Sequence, residues 1–216
     1  MSKYNTIIWD MDGTLLDTLD DLTDSVNAAM TEFHLPVRTR DEIRSFIGNG
    51  INRLLGLSIP GGKQNPQFEE ILSFFKICYA KNSSNKTKPY IGLDKVLPEL
   101  KSGGYRMAIV SNKIDTAVKA LSEQFFKNLM DAAIGNSENL RRKPSPDEVF
   151  EALRILGAEK ESAVYIGDTE VDIETAKNAG IDCISVSWGY RDRQELLAHG
   201  ARAIVDTPEE LVELLK

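Results

Sequence analysis

The sequence predicts an α/β protein: an open parallel sheet with helices on both faces, and a small all-helical domain inserted after the first strand. Three observations predict it. Short apolar runs recur along the 216 residues, each followed by a segment of helical periodicity. The runs are almost continuously apolar rather than alternating, as expected of parallel strands buried on both faces. The alternation lapses once, between Leu16 and about Lys86, where only helical patterns occur.

Taken in order, Thr6–Trp9 is the first strand. Leu22, Val26, Ala29, Met30 and Phe33 then fall on one helical face, and Thr39-Arg40-Asp41-Glu42 opens a further helix through a capping box. The stretch Gly56–Pro66 separates two helices, the second over residues 67–81. Strands resume at Met107–Val110 and Ala132–Ile134. Ser145-Pro146-Asp147-Glu148 reads as an N-cap, a proline at the first helical position and a capping-box Glu. Val164–Ile166, Cys183–Val186 and Ala203–Val205 complete six strands of a Rossmann-like sheet, and Thr207-Pro208-Glu209-Glu210 repeats the capping device. This places an α/β core domain at residues 1–15 and 87–216 and a helical cap domain at 16–86. Ligands of such sheets bind at the carboxyl ends of the strands, and an insertion leaving there is expected to act as a lid.

The chain holds 26 Lys and Arg against 33 Asp and Glu, a net charge of −7. That balance argues against nucleic acid or an anionic membrane as partner. It leaves room for an anionic small molecule, because a bound divalent cation inverts the local field. Cys78 and Cys183 are the two cysteines, without a CxxC pair, and are expected to be reduced, packed thiols. MSKYNTIIWD lacks a charged-then-apolar leader, and no apolar run reaches ~18 residues. The expectation is a cytoplasmic protein, a monomer or homodimer. His34 and His199 are isolated and read as surface or capping residues, Trp9 and Trp188 as core or site-wall aromatics.

The chemistry concentrates at the strand ends. Asp10-Met11-Asp12-Gly13-Thr14 follows the first strand directly. A calcium loop beginning at Asp10 would need Gly at its sixth position and Glu at its twelfth, where Leu15 and Asp21 stand. Asp168 ends a later strand, and Asp172 lies one helical turn on, on the same face. Carboxylates gathered at adjacent strand ends repel one another unless a cation sits among them. Oxygen-only ligands select a hard ion, Mg²⁺ where phosphate completes the shell. Ser111 and Asn112 place a hydroxyl and backbone N–H groups after the second sheet strand, and Lys143 precedes a proline-started helix. Other phosphate motifs fail. Gly56–Lys63 misses a P-loop, with its lysine one place late and Gln64 where Ser or Thr is required. Gly48-Asn49-Gly50 continues to Arg53 where a dinucleotide fingerprint needs Gly or Ala.

With Asp10–Thr14, Ser111, Lys143 and Gly167–Asp172 in this order, the chain resembles the haloacid dehalogenase-like phosphohydrolases along essentially its whole length. Ile47-Gly48-Asn49-Gly50 and Ser187-Trp188-Gly189-Tyr190 resemble the phosphoglycolate phosphatase branch. Arg141-Arg142 stands where many relatives have Gly before the lysine, suggesting extra positive charge near the entrance. The resemblance implies Asp10 as nucleophile and Asp12 as general acid and base. It also implies Mg²⁺ on Asp10, the Asp12 backbone carbonyl and Asp168, with Asp172 orienting its waters. Ser111, Asn112 and Lys143 would hold the phosphoryl group of a small phosphorylated metabolite. Asn49, Gly50, Arg53 and Lys63 are candidate substrate contacts in the cap. Three alternatives stand beside this phosphatase: a β-phosphoglucomutase-like mutase, an inorganic pyrophosphatase, and a phosphoaccepting receiver-like module. A receiver carries its acceptor Asp on the third strand, where Ala132–Gly135 offers none.

Overall fold

A computed structural model describes residues 3–216. Six strands form one fully parallel sheet: β1 (Thr6–Trp9), β4 (Arg106–Ile114), β5 (Ala132–Asn136), β6 (Ala163–Gly167), β7 (Asp182–Val186) and β8 (Ala203–Val205). Their order is β5-β4-β1-β6-β7-β8. Two further strands of two residues each, β2 (Leu16–Asp17) and β3 (Lys88–Pro89), pair with one another. The chain divides into two compact units at these short strands. One runs to Leu16 and resumes at Pro89–Lys216; the other is Asp17–Lys88.

In the first unit, period-2 alternation sends side chains to two separate cores. Ile7, Trp9, Met107, Ile109, Val164 and Ile166 enter the core on one sheet face, with Val205 and Leu211. Ile8, Ala108, Val110 and Tyr165 face the other, against Val149, Ala152 and Ala176. Both faces are therefore covered, which explains the unbroken apolar runs. The covering helices are α5 (Leu93–Ser102), α6 (Asp115–Phe126), α7 (Asp147–Leu156), α8 (Glu170–Ala179), α9 (Arg193–Ala198) and α10 (Pro208–Leu215). The strand order reverses beside β1, so the crevice between β1 and β6 is the topological switch point where ligands bind.

The second unit is helical: α1 (Leu19–Glu32), α2 (Arg40–Phe46), α3 (Ile51–Ser58), a 3₁₀ turn at Gly62–Gln64, and α4 (Phe68–Asn82). Leu22, Val26, Ala29 and Met30 of α1 are buried, as are Phe75 and Tyr79 of α4. Thr39 and Glu42 form the reciprocal capping box of α2, with Glu42 N–H on Thr39 Oγ1 at 3.2 Å and Thr39 N–H on Glu42 Oε2 at 2.7 Å. Asp21 at the start of α1 accepts from the backbone N–H groups of Lys86 and Thr87 at 3.0 and 2.8 Å, tying down the returning chain. Among the described residues, no helix is long and apolar enough to cross a membrane.

Three local expectations change. β4 continues past Val110 to Ile114, because the segment goes on pairing with β5 after a register shift. Gly56 lies inside α3, where its bare backbone takes the Lys63 stem against it, so the break falls after Ser58. Ser145 does not cap α7. Its hydroxyl donates to Asp147 Oδ1 at 2.8 Å, Pro146 occupies the cap position, and Glu148 is buried instead of reaching back. Thr207 does cap α10, accepting from Glu210 N–H at 3.2 Å.

Candidate active site

Asp10 continues β1 by one residue, its N–H donating to Ile166 O of β6 at 2.8 Å. The chain then turns tightly, Leu15 and Leu16 donating to Met11 O at 3.0 and 2.9 Å. Gly13 permits this turn, with φ +96°. A Cβ there would lie 2.3 Å from Asp168 Oδ2. Gly189 is tight against the same spot: a Cβ would meet Gly13 O at 2.3 Å and Asp168 Cβ at 2.4 Å. Asp168 is thus cradled by backbone from two loops. Its Oδ1 accepts from Thr14 Oγ1 at 2.9 Å and its Oδ2 from Tyr190 N–H at 2.8 Å. Trp188 Nε1 donates to Thr14 O at 3.0 Å, so the loop after β7 fixes the turn after β1.

Lys143 is the hub. Its ammonium donates to Asp10 Oδ1 at 2.6 Å, Asp172 Oδ1 at 2.7 Å and the Tyr165 hydroxyl at 3.0 Å, with its side chain 3% exposed. Asn112 Nδ2 donates to Lys143 O at 3.2 Å and holds the lysine's loop against the end of β4. Asp172 also closes the start of α8, its Oδ2 accepting from Thr169 N–H at 3.0 Å and Oγ1 at 2.7 Å. Ser111 lies two residues beyond Ile109, the last β4 residue paired with β1; it pairs with Gly135 of β5 and is buried.

The electrostatics follow from burial. Desolvation, then the charges of Asp172 and Asp168 against that of Lys143, pushes Asp10 well above the ordinary carboxylate range. Burial and Asp172 raise Asp168 to about 7. Burial alone would lower Lys143, but the charges of Asp10 and Asp172 outweigh it and hold the amine above its usual range. Carboxylate oxygens of Asp10, Asp168 and Asp172 come within 4.8 Å of one another. One ammonium cannot balance three ionised carboxylates, and the raised positions of Asp10 and Asp168 express that deficit of positive charge. The donor set is therefore hard, anionic and dry, and fits a divalent cation that prefers oxygen.

The first unit thus brings together Asp10, Asp168, Asp172 and Lys143, with Ser111 and Asn112 beside them. Asp12 is turned to a different partner: its two oxygens accept from Lys113 Nζ at 2.7 and 3.0 Å. Asn49, Gly50, Arg53 and Lys63 belong to the second unit. Gly50 caps α3 with Asn49 half-buried before it, and Arg53 and Lys63 are exposed. Arg141 is committed to Asp147, donating through Nε and Nη2 at 2.9 Å each, which offsets its positive charge. Sequence reasoning missed Lys113 and Tyr165. The available signals were a lysine two residues beyond Ser111 on one strand, and a phenol tip within an apolar run.

The sequence profile described as haloacid dehalogenase-like hydrolase matches residues 7–186. The chain is similar to a curated phosphoglycolate phosphatase of Aquifex aeolicus, 34% identical over 185 residues and covering 85% of each chain. Another from Mesorhizobium japonicum is 32% identical over 191 residues, covering 87% of this chain and 84% of that one. A crystal structure from Lactobacillus delbrueckii subsp. bulgaricus superposes with a TM-score of 0.94 at 36% identity, over 99% of both chains.

Proposed function

The chain belongs to the haloacid dehalogenase-like hydrolases, and from that premise we propose a Mg²⁺-dependent phosphatase acting on a small phosphomonoester through an aspartyl-phosphate at Asp10. The observation that carries this reading is the Lys143 ammonium joining Asp10 to Asp172 beside Asp168 in a buried site. A carboxylate so placed is a nucleophile held at one oxygen, with the charge needed to receive a phosphoryl dianion already facing it.

In the first step Asp10 forms a bond to phosphorus as the ester P–O bond breaks, and Asp12 gives its proton to the departing alkoxide oxygen. In the second, Asp12 takes a proton from the water that attacks phosphorus, and the Asp10–phosphorus bond breaks to release phosphate. The Ser111 hydroxyl, the Asn112 backbone N–H and the Lys143 ammonium hold the phosphoryl oxygens through both steps. Asp10, Asp168 and the Asp12 backbone carbonyl would hold Mg²⁺, with Asp172 orienting its waters; when bound, the ion supplies charge neutralisation at the phosphoryl oxygens.

The relatives at 34% and 32% identity support 2-phosphoglycolate as the first substrate to test. The experiment is phosphate release from 2-phosphoglycolate, sugar phosphates, p-nitrophenyl phosphate and pyrophosphate with Mg²⁺, alongside Asp10→Asn. Turnover of 2-phosphoglycolate above the other esters, abolished in Asp10→Asn together with a trappable phosphoenzyme, is the expected result. Conversion of a hexose 1-phosphate to its 6-phosphate would identify a mutase instead. Normal turnover in Asp10→Asn would exclude covalent catalysis through this residue.

A further inference from the structure

Lys113 has no part in the mechanism above, yet its placement is costly. Its side chain is 4% exposed, and its ammonium faces both oxygens of Asp12 at 2.7 and 3.0 Å. Burying a lysine is expensive, so an apolar residue at this position would be the cheaper choice unless the charge has a role.

Two features place its backbone. Lys113 lies two residues beyond Ser111 on β4, and its N–H donates to Ser111 Oγ at 3.3 Å. Gly135 of β5 closes on it from the neighbouring strand. A Cβ there would lie 2.8 Å from Lys113 O and 2.5 Å from Asp115 Cα, so only glycine admits this approach. Gly135 N–H donates to Asp115 Oδ1 at 3.0 Å, and the β4–β5 register shifts between Ser111 and Ile114. Ladder pairs with β5 at Ser111 and Ile114 bracket Lys113, so the segment bearing it is fixed at both ends.

Three of the four site aspartates are thereby divided between two buried lysines. Lys143 takes Asp10 and Asp172, and Lys113 takes Asp12. The carboxylate cluster able to hold a cation comprises Asp10, Asp168 and Asp172 among the described residues, without Asp12. We propose that Lys113 is a positioning residue for Asp12: it grips both carboxylate oxygens and keeps the proton-transfer group from turning into the metal-binding cluster. This rests on Asp12 being the general acid and base. The carboxylate left when Asp12 protonates the departing alkoxide is the species that Lys113 grips.

The test compares Lys113→Met, Lys113→Arg and Asp12→Asn on two esters. One is the best alkyl phosphate of the panel, 2-phosphoglycolate in the first instance, whose alkoxide needs a proton to leave. The other is p-nitrophenyl phosphate, whose phenolate leaves without one. General acid–base catalysis is worth ~10²–10⁴-fold, so Lys113→Met should lose about 10- to 100-fold in kcat/KM on the alkyl ester and under about 3-fold on the aryl ester. It should also show a burst of nitrophenolate as phosphoenzyme hydrolysis slows, and Lys113→Arg should recover most of the loss. Equal losses on the two esters, or no loss on either, overturn the proposal. Selective loss in Asp12→Asn without it in Lys113→Met overturns the proposal alone. Absence of selectivity in Asp12→Asn itself overturns the acid–base reading and the proposal with it. Should Lys113→Met fail to fold, Lys113→Gln and the arginine variant carry the same comparison.

Discussion

The Lys143 ammonium lies 2.6 Å from Asp10 Oδ1, with the side chains 3% and 8% exposed. Removing one partner of such a pair strands the other in a dry site. Lys143→Met should therefore destabilise the metal-free protein by ~3–5 kcal/mol at neutral pH and depress activity on every ester tested. Urea unfolding with and without Mg²⁺ checks it. Mg²⁺ should restore part of the lost stability, because an ion that binds only the folded site stabilises it by mass action.

Activity should require Mg²⁺ and be inhibited by Ca²⁺. The oxygen set of Asp10 and Asp168 accepts either ion, but Ca²⁺ takes 6–8 ligands in flexible geometry and can engage both Asp10 oxygens, disabling the nucleophile. Phosphate release in excess chelator, then with each ion added back, decides the matter. Full activity in chelator would contradict it.

Glu148 makes stability depend on pH. It is buried at the start of α7 with neither carboxylate oxygen hydrogen-bonded to protein, and burial raises it from 4.5 to about 7. Below its unfolded value the group is protonated in both states and costs nothing extra. As pH rises from there through about 7, the unfolded chain releases the proton more readily, and stability falls. The full loss is about 3 kcal/mol and is present above that range. Glu148→Gln removes this dependence, so the difference between variant and wild type should grow in the variant's favour from pH 5 to pH 8. Urea midpoints across that range measure it.

Gly189→Ala should weaken metal use more than folding. The added Cβ would meet Asp168 Cβ at 2.4 Å and Gly13 O at 2.3 Å, so the carboxylate must move. Overpacking of this kind costs ~1–3 kcal/mol, and a displaced Asp168 should raise the Mg²⁺ concentration needed for half-maximal activity. A titration unchanged from wild type would show that the cradle is not needed.

The six strands could be read from the sequence because each carries its signal locally, in apolar runs such as Val164–Ile166 flanked by helical patterns. Asp10, Ser111, Lys143 and Asp168 could be singled out because each comes after an apolar run, and the parallel topology collects the ends of those runs at one edge. Their mutual distances could not be. The contact between Lys143 and Asp172 spans 29 residues, and that between Lys113 and Asp12 spans 101. Neither leaves a periodic trace. Glu148 departs from its local pattern for a related reason: its spacing from Ser145 satisfies a capping box, but Asp147 engages the Ser145 hydroxyl and α7 turns the glutamate inward. Local rules describe the competitors at a helix start and leave the winner to tertiary packing.

Asp172 spends one oxygen on Lys143 and the other on the Thr169 backbone, so the opening turn of α8 and the charge balance beside Asp10 share a single carboxylate. Fraying of that turn cannot occur without loosening the lysine, and a cation entering the site steadies the turn in its place. The amide protons of Thr169 and Asp172 are therefore built-in reporters of occupancy. Their rate of exchange with solvent deuterium should slow when Mg²⁺ and phosphate bind, while amides at the far end of α8 keep their pace.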